Sequence, residues 1–197
     1  DWDSDGLTDL FIRDQDGRLQ YFYNTGSASE PAFELQTKAF QGLDVGQWFC
    51  FFDYDHDGDI DLMAGPQSPN ISLFENVGDS LFLAVSPLLD DSSVAVYGGQ
   101  IVIPAVADIN GDGWEDLFVG GVSGSVTYYR NLGLTDGLPV YHLETNSFED
   151  ILIVWVPGRD DRHGANALEF YDIDADEDLD LFWGDFYQPG LFFLENF

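Results

Sequence analysis

"DYDHDGDIDLMAGP", residues 53–66, places an aspartate at every second position from Asp53 to Asp61 and then turns apolar. Carboxylates crowded this closely repel one another, so the stretch is either a solvated acidic loop or one that aims alternate oxygens at a hard cation. The motif recurs: "DWDSDGLTDLF" begins at residue 1, "DINGDGWEDLF" at 108 and "DIDADEDLDLF" at 172. Each copy is followed by an apolar or aromatic segment ending in asparagine: LQYFYN at Asn24, ISLFEN at Asn76, VTYYRN at Asn131 and LFFLEN at Asn196. From the first Asp of a copy to its Asn the distance is 23, 23, 23 and 24 residues. Two markers held at one spacing four times make a chance acidic loop a poor explanation.

The copies start 52, 55 and 64 residues apart, with more strand-like segments between the markers. PAFELQT (31–37), LFLAVS (81–86) and PVYHLET (139–145) follow the asparagines, and QWFCFF (47–52), QIVIPAVA (100–107) and NALEFY (166–171) precede the next acidic loops. Alternation, β-branched and aromatic content and bounding Gly, Asn and Ser predict strands. No long stripe of period 3.6 predicts a helix. Four strands per repeat of about 50 residues fit the blade of a β-propeller, a small antiparallel sheet that buries its faces against its neighbours. A sandwich is also all-β but needs no such period. The expectation is an all-β propeller region over 1–197, with four-stranded antiparallel blades and repeats at 1–52, 53–107, 108–171 and 172–197, the last incomplete.

With 45% apolar residues, 17 Phe, 9 Tyr and 5 Trp, the chain can build a core. Its 37 acids and six bases give a formal charge of −31, a field that repels nucleic acid and anionic membrane. No uninterrupted apolar run is long enough to span a bilayer, so no membrane insertion is expected within this segment. The lone cysteine, Cys50, lies in the apolar run WFCFF, where a buried, inert thiol is expected. The chain opens directly on a motif aspartate, as if cut from something longer.

Numbered from its first Asp, the loop carries side-chain oxygen at positions 1, 3, 5 and 9 in every copy. Position 7 can add a backbone carbonyl, giving calcium the oxygen-rich shell it requires. Position 6 is Gly6, Gly58 and Gly113 in three copies, where a sharp turn calls for positive φ. An EF-hand loop begins similarly but needs an acid at position 12 and an exiting helix. Here position 12 is Ile12, Ala64, Val119 or Trp183, and the exits are strands.

The acidic loop in four copies, the DLMAGP segment (61–66) and the aromatic strand ending in Asn resemble the FG-GAP/VCBS repeat family, known from the propeller of integrin α subunits and from many surface proteins. The resemblance implies a calcium-binding β-propeller whose metal loops join the first and second strands of each blade. Carried over by position, it implies up to four Ca2+ ions with ligands Asp1, Asp3, Asp5 and Asp9; Asp53, Asp55, Asp57 and Asp61; Asp108, Asn110, Asp112 and Asp116; and Asp172, Asp174, Asp176 and Asp180. The carbonyl ligands would come from Leu7, Asp59, Trp114 and Asp178. Asn110 in place of an acid lowers the charge of the third site, and Glu177 in place of Gly alters the turn of the fourth. On the family's strand order the first blade lacks its opening strand and the fourth its last. Flanking sequence or a partner chain would then cover the open edges.

Extracellular calcium modules have dissociation constants near 10⁻⁴–10⁻³ M. At ~0.1 mM and ~2 mM free calcium, each site would stabilise the fold by roughly 1.8 kcal/mol, and four sites by about 7 kcal/mol, a typical domain stability. Sub-micromolar cytosolic calcium would leave such sites empty, which favours an extracellular or cell-surface location. The triplet Asn70-Ile71-Ser72 fits the N-glycosylation rule. His56, His142 and His163 fall in unrelated positions, and no nucleophile or acid–base pair accompanies them, so no enzyme is expected. The longest insertion (147–164) gathers Arg159, Asp160, Asp161, Arg162 and His163 into a hairpin tip with self-compensating charge. Tyr21, Tyr23, Tyr128, Tyr129 and Phe193 are expected in blade packing, with sugar stacking as the alternative. A non-enzymatic extracellular interaction or structural module, with a protein partner or self-assembly, is the first expectation. A carbohydrate-binding propeller is the alternative, and scaffold of a secreted polysaccharide-active enzyme the third.

Overall fold

Short alternating runs of β-branched and aromatic residues, bounded by Gly, Asn and Asp turns, form antiparallel strands throughout the computed structural model, which describes residues 1–66, 70–96, 104–120, 124–151, 167–176, 178–184 and 191–196. The strands make four sheets, each a meander in chain order. The first holds β1 (Leu10–Arg13), β2 (Leu19–Asn24) and β3 (Phe33–Thr37). The second holds β4 (Phe49–Phe52), β5 (Asp61–Ala64), β6 (Ser72–Asn76) and β7 (Leu81–Val85). The third holds β8 (Ala105–Ala107), β9 (Asp116–Gly120), β10 (Val126–Thr135) and β11 (Leu138–Thr145). The fourth holds β12 (Ala167–Tyr171), β13 (Asp180–Gly184) and β14 (Leu191–Leu194).

All ten segments expected as strands contribute one, with two differences of extent. β10 runs on past Asn131 to Thr135, because Gly133 at φ 90° allows a bulge where the register with β11 shifts. Of QIVIPAVA only Ala105–Ala107 is a described strand, and residues 101–103 lie outside the described set. No α-helix occurs among the described residues, only 3-10 turns at Phe40–Gly42 and Phe148–Asp150. In sheets two to four the acidic loop joins the first and second strands, so each sheet begins one strand before the sequence repeat that names it.

The chain divides into two units, one of residues 1–68 and 72–86 and the other of 69–71 and 87–197. Each has its own core between two sheets, built around the same four rings. In the first unit Phe11 stacks on Tyr21 at 4.7 Å, with Phe40 edge-on at 5.1 Å and Phe51 tilted at 4.7 Å. In the second, Phe118 stacks on Tyr128 at 5.0 Å, with Phe148 edge-on at 5.1 Å and Phe170 tilted at 4.4 Å. The phenylalanine of each 3-10 turn thus wedges one sheet against the next. Offset-stacked and edge-to-face pairs are the favoured ring geometries, which fixes the packing of each sheet pair as well as its area.

Tyr21 and Tyr129 are buried, Tyr23 and Tyr128 pack against the cores, and Phe193 is 46% exposed with its ring 4.9 Å from Phe182. Cys50 is half-buried in β4 rather than fully enclosed, since β4 is an outer strand of its sheet. Gly46 (φ 68°) is required by close approach: a Cβ there would stand 1.9 Å from the Gly65 carbonyl oxygen. That contact lets residues 44–46 run between Gly17 and Gly65, donating and accepting backbone hydrogen bonds at Val45. The 158–164 hairpin tip and Glu177 lie outside the described residues.

Phe118 is fully buried at the centre of its ring cluster. Phe118→Ala is expected to cost the second unit about 3–5 kcal/mol, read as a lowered urea midpoint with calcium held constant.

Candidate metal centres

Alternating aspartates become a compact cluster because each loop's own amides organise them. The position-1 carboxylate accepts the position-6 N–H: Gly6 to Asp1 at 2.9 Å, Gly58 to Asp53 at 3.0 Å and Gly113 to Asp108 at 2.8 Å. The position-5 carboxylate accepts the position-7 N–H, from Leu7, Asp59, Trp114 and Asp178 at 2.8, 2.9, 2.9 and 3.2 Å. Asp57 N–H is shared between Asp53 and Asp55, and Asp112 N–H between Asp108 and Asn110. Position 6 has φ of 88°, 98° and 90° at Gly6, Gly58 and Gly113, where an added Cβ would meet nothing, so the glycine serves conformation rather than space. Position 4 is left-handed too, at Ser4, His56, Gly111 and Ala175, which the sequence pattern did not disclose.

The result brings ligand oxygens of Asp1, Asp3 and Asp5 within 4.8 Å of one another, and likewise those of Asp53, Asp55 and Asp57 and of Asp172, Asp174 and Asp176. The third loop places Asp108, Asn110 and Asp112 in the same hydrogen-bonded frame. Burial, with Asp57 and Asp53 beside it, raises the pKa of Asp55. In the fourth loop Oδ1 of Asp178 is shielded from solvent and meets no hydrogen-bond donor among the described residues. Three carboxylate oxygens at this separation, all hard donors, fit a calcium ion better than a soft transition metal.

The position-9 aspartates lie beneath these trios. Asp61, Asp116 and Asp180 are at most 1% exposed, and Asp9 is half-buried. Oδ2 accepts the position-2 N–H in three copies, from Trp2, Tyr54 and Ile173 at 2.7, 3.1 and 3.1 Å. Oδ1 accepts the amide of the marker asparagine in all four, from Asn24, Asn76, Asn131 and Asn196 at 3.0, 2.7, 2.7 and 3.0 Å. The two sequence markers are therefore the two ends of one hydrogen-bonded clamp. Asn24, Asn76 and Asn131 complete it by donating Nδ2–H to the position-8 carbonyls of Thr8, Ile60 and Glu115. The Tyr21 and Tyr128 hydroxyls also donate to Asp9 and Asp116. Sequence reasoning missed this role, although the near-constant spacing from position 9 to the asparagine was its visible trace. Hydrogen-bonded carboxylate oxygens retain further lone pairs, so the clamp leaves the position-9 oxygens able to face a cation as well.

Burial, partly offset by those amide donors and reinforced by Asp55 and Asp57, pushes Asp61 up to about 6. Asp116 is raised by burial likewise. The third loop differs: Ile109 N–H bonds the Ala107 carbonyl, and Asn110 Nδ2 donates to Asp116 at 3.2 Å. Of the histidines, exposed His56 occupies position 4, and His142 in β11 pairs through Nδ1 with Asp91 at 2.7 Å. Asn70 of the glycosylation triplet is half-buried beside fully buried Ile71 and Ser72. No helix among the described residues is long and apolar enough to cross a membrane.

These features define a class: an all-β repeat protein whose antiparallel sheets each carry one clamped acidic loop. The FG-GAP-like repeat profile matches residues 1–64, 53–119 and 108–183, and the chain belongs to that family. No curated protein matches the chain.

The raised Asp61 carboxyl sets a sign for pH dependence in metal-free protein. Its folded pKa lies above the unfolded value of about 3.9, so its contribution to stability is complete below about pH 4 and is lost as pH rises through about 6. With EDTA present the melting temperature is expected to fall across that window. Asp61→Asn flattens this part of the profile, and saturating calcium reverses its slope, because acid then competes with the ion.

Proposed function

We propose that the chain is a portion of an extracellular, calcium-stabilised β-propeller that acts as a non-enzymatic interaction or structural module. The observation that carries this is the recurrence of one acidic loop, with closely similar hydrogen bonding, at the start of the first sheet and between the first two strands of the next three. Asp1, Asp3 and Asp5 would hold one ion, and Asp53, Asp55 and Asp57 a second. Asp108, Asn110 and Asp112 would hold a third, and Asp172, Asp174 and Asp176 a fourth. The position-9 aspartates and the carbonyls of Leu7, Asp59, Trp114 and Asp178 would complete each shell. The ion supplies charge neutralisation and a rigid bend between neighbouring strands. The paired sheets with repeated ring clusters support the blade reading, because blades bury their faces against one another.

A role in binding rather than chemistry follows from what the loops spend their groups on. Their carboxylates are committed to backbone amides and to the proposed ion, and the tyrosines nearest them donate into the clamp. Dependence on millimolar calcium would suit a module outside the cell, where its net charge of −31 would become −23 with four ions bound.

Calorimetric titration is expected to find up to four calcium ions per chain. EDTA is expected to lower Tm on the order of 15–25 °C at millimolar calcium, at about 2–4 °C per kcal/mol. Asp55→Asn removes or weakens one ion and shrinks that difference. An unchanged Tm after chelation overturns the proposal. A glycan array is expected to stay silent, and calcium-dependent sugar binding would replace the interaction role with a lectin role.

A further inference from the structure

We propose that Asn110 is a site of spontaneous covalent modification, in which the backbone nitrogen of Gly111 displaces ammonia and water converts the residue to aspartate and isoaspartate. The site stands on the geometry of the third loop. Its effect on calcium rests on the reading of the loops as calcium sites.

Of the chain's eight asparagines only Asn110 is followed by glycine. Asn24, Asn76 and Asn131 are at most 6% exposed and precede Thr25, Val77 and Leu132, whose side chains crowd the next peptide nitrogen. Asn110, Gly111 and Asp112 are all exposed. Ring closure requires the following nitrogen to reach Cγ, and a residue without Cβ leaves that approach open. Position 4 is left-handed in every loop, at φ 59°, 60°, 71° and 63°, but only in the third copy is it a glycine.

The loop also holds the reacting atoms together. Asn110 Oδ1 accepts the Asp112 N–H at 2.8 Å. That bond closes a ring of atoms running from Cγ through the main chain of Asn110 and Gly111, which confines Cγ near the Gly111 nitrogen. It also draws electron density from the carboxamide carbon. The Gly111 N–H bonds nothing among the described residues, so it gives up no partner when its nitrogen attacks. Asp5, Asp57 and Asp112 precede glycines too and make the matching bond to position 7. An ionised carboxylate resists an amide nucleophile, however, where a neutral carboxamide does not.

In the first step the Gly111 nitrogen bonds to Cγ, its proton departs with Nδ2 as ammonia, and a cyclic imide forms. Water then opens the imide at one of its two carbonyls. Opening at Cγ restores the main chain and leaves aspartate, whereas opening at the main-chain carbonyl leaves isoaspartate with Cβ in the path of the chain. Nothing is oxidised or reduced. One water enters, one ammonia leaves, and the formal charge goes from −31 to −32.

The aspartate product gives the third loop the carboxylate that Asp3, Asp55 and Asp174 supply in the other copies. It removes the Nδ2 donor that reaches Asp116 Oδ2 at 3.2 Å, so a neutral hydrogen bond gives way to facing carboxylates. On the calcium reading, this copy would then need an ion to relieve that repulsion. The isoaspartate product lengthens the chain inside the frame that sets Gly113 N–H on Asp108 at 2.8 Å, and loosens it.

The test keeps the full chain in warm, mildly alkaline EDTA buffer and maps its peptides by mass spectrometry over time. The peptide holding residues 110 and 111 is expected to gain one mass unit at least tenfold faster than any other asparagine peptide. Released ammonia and isoaspartate, detected by enzymatic methylation, should rise with it. Gly111→Ala is expected to slow the conversion at least tenfold. A Cβ there meets nothing, and Ala175 holds the same left-handed position in the fourth loop. The inference is overturned by an Asn110 that stays intact in the folded chain, by conversion spread evenly over the asparagines, or by a rate that Gly111→Ala leaves unchanged. The comparison among asparagines needs no variant and decides even if Gly111→Ala misfolds. Asn110→Asp, the aspartate product made directly, is expected to widen the Tm difference between calcium and EDTA, and an equal or smaller difference overturns the calcium consequence. Absence of any calcium effect on Tm in either protein sinks the functional reading, while the modification site is judged on mass alone.

Discussion

The buried aspartate at loop position 9 is the constraint on which the rest of each sheet depends. In the second copy its two oxygens tie Tyr54, at the start of the acidic loop, to Asn76, at the end of the third strand 22 residues on, with charge-assisted hydrogen bonds. Such bonds are among the stronger ones in proteins, and breaking one inside the core would leave a buried charge without partners. The clamp explains why two markers so far apart in sequence nearly keep their distance: the asparagine amide lies 15 residues beyond the carboxylate in three copies and 16 in the fourth, which absorbs one extra residue and keeps the bond at 3.0 Å. Residues outside the clamp are freer, and the spacing between successive copies drifts accordingly.

That arrangement carries an electrostatic cost. A carboxylate at 1% exposure is poorly solvated, and in the second copy three further aspartates stand close by on the same loop. Amide donors compensate only part of the burial, as the raised Asp61 shows. A divalent cation over the trio, as proposed, would offset the remainder for the trio and the clamp together. On that proposal metal binding and strand pairing are two views of one site: an ion would stabilise the charges that hold the sheet, and the sheet holds those charges within a few ångströms of one another.

The fold was legible because its strands are short, alternating and punctuated by turn residues, and because the repeat multiplies every weak signal by four. The loop oxygens at positions 1, 3 and 5 were equally legible, since their spacing is local and their hydrogen bonds run to amides only a few residues away. What sequence did not disclose was non-local or conformational. Asp61 looked like one more ligand, and only the partner 15 residues along shows it to be a buried clamp. Ser4, His56, Gly111 and Ala175 share a backbone conformation while sharing no side chain, so composition is silent there. Phe40 and Phe148 lie outside the acidic motif, and their equivalence emerges only from the rings they touch.

The copies also diverge in how far they meet their own needs, which bears on why the motif is repeated rather than perfected. In the third loop Asn110 both accepts from Asp112 and donates to Asp116, so part of the charge that a cation would balance elsewhere is replaced by a neutral hydrogen bond. In the second, Asn76 completes the clamp, yet its Oδ1 is buried without a donor, whereas Asn24 and Asn131 find Gly26 and Gly133. That orphaned oxygen costs on the order of 1–3 kcal/mol, and the same copy carries five aspartates and the raised Asp61, although the fourth copy holds six acids over the same span. On the proposed reading an ion would therefore relieve more repulsion in the second copy than in the third. A repeat array permits such differences, because each sheet closes a clamp of its own.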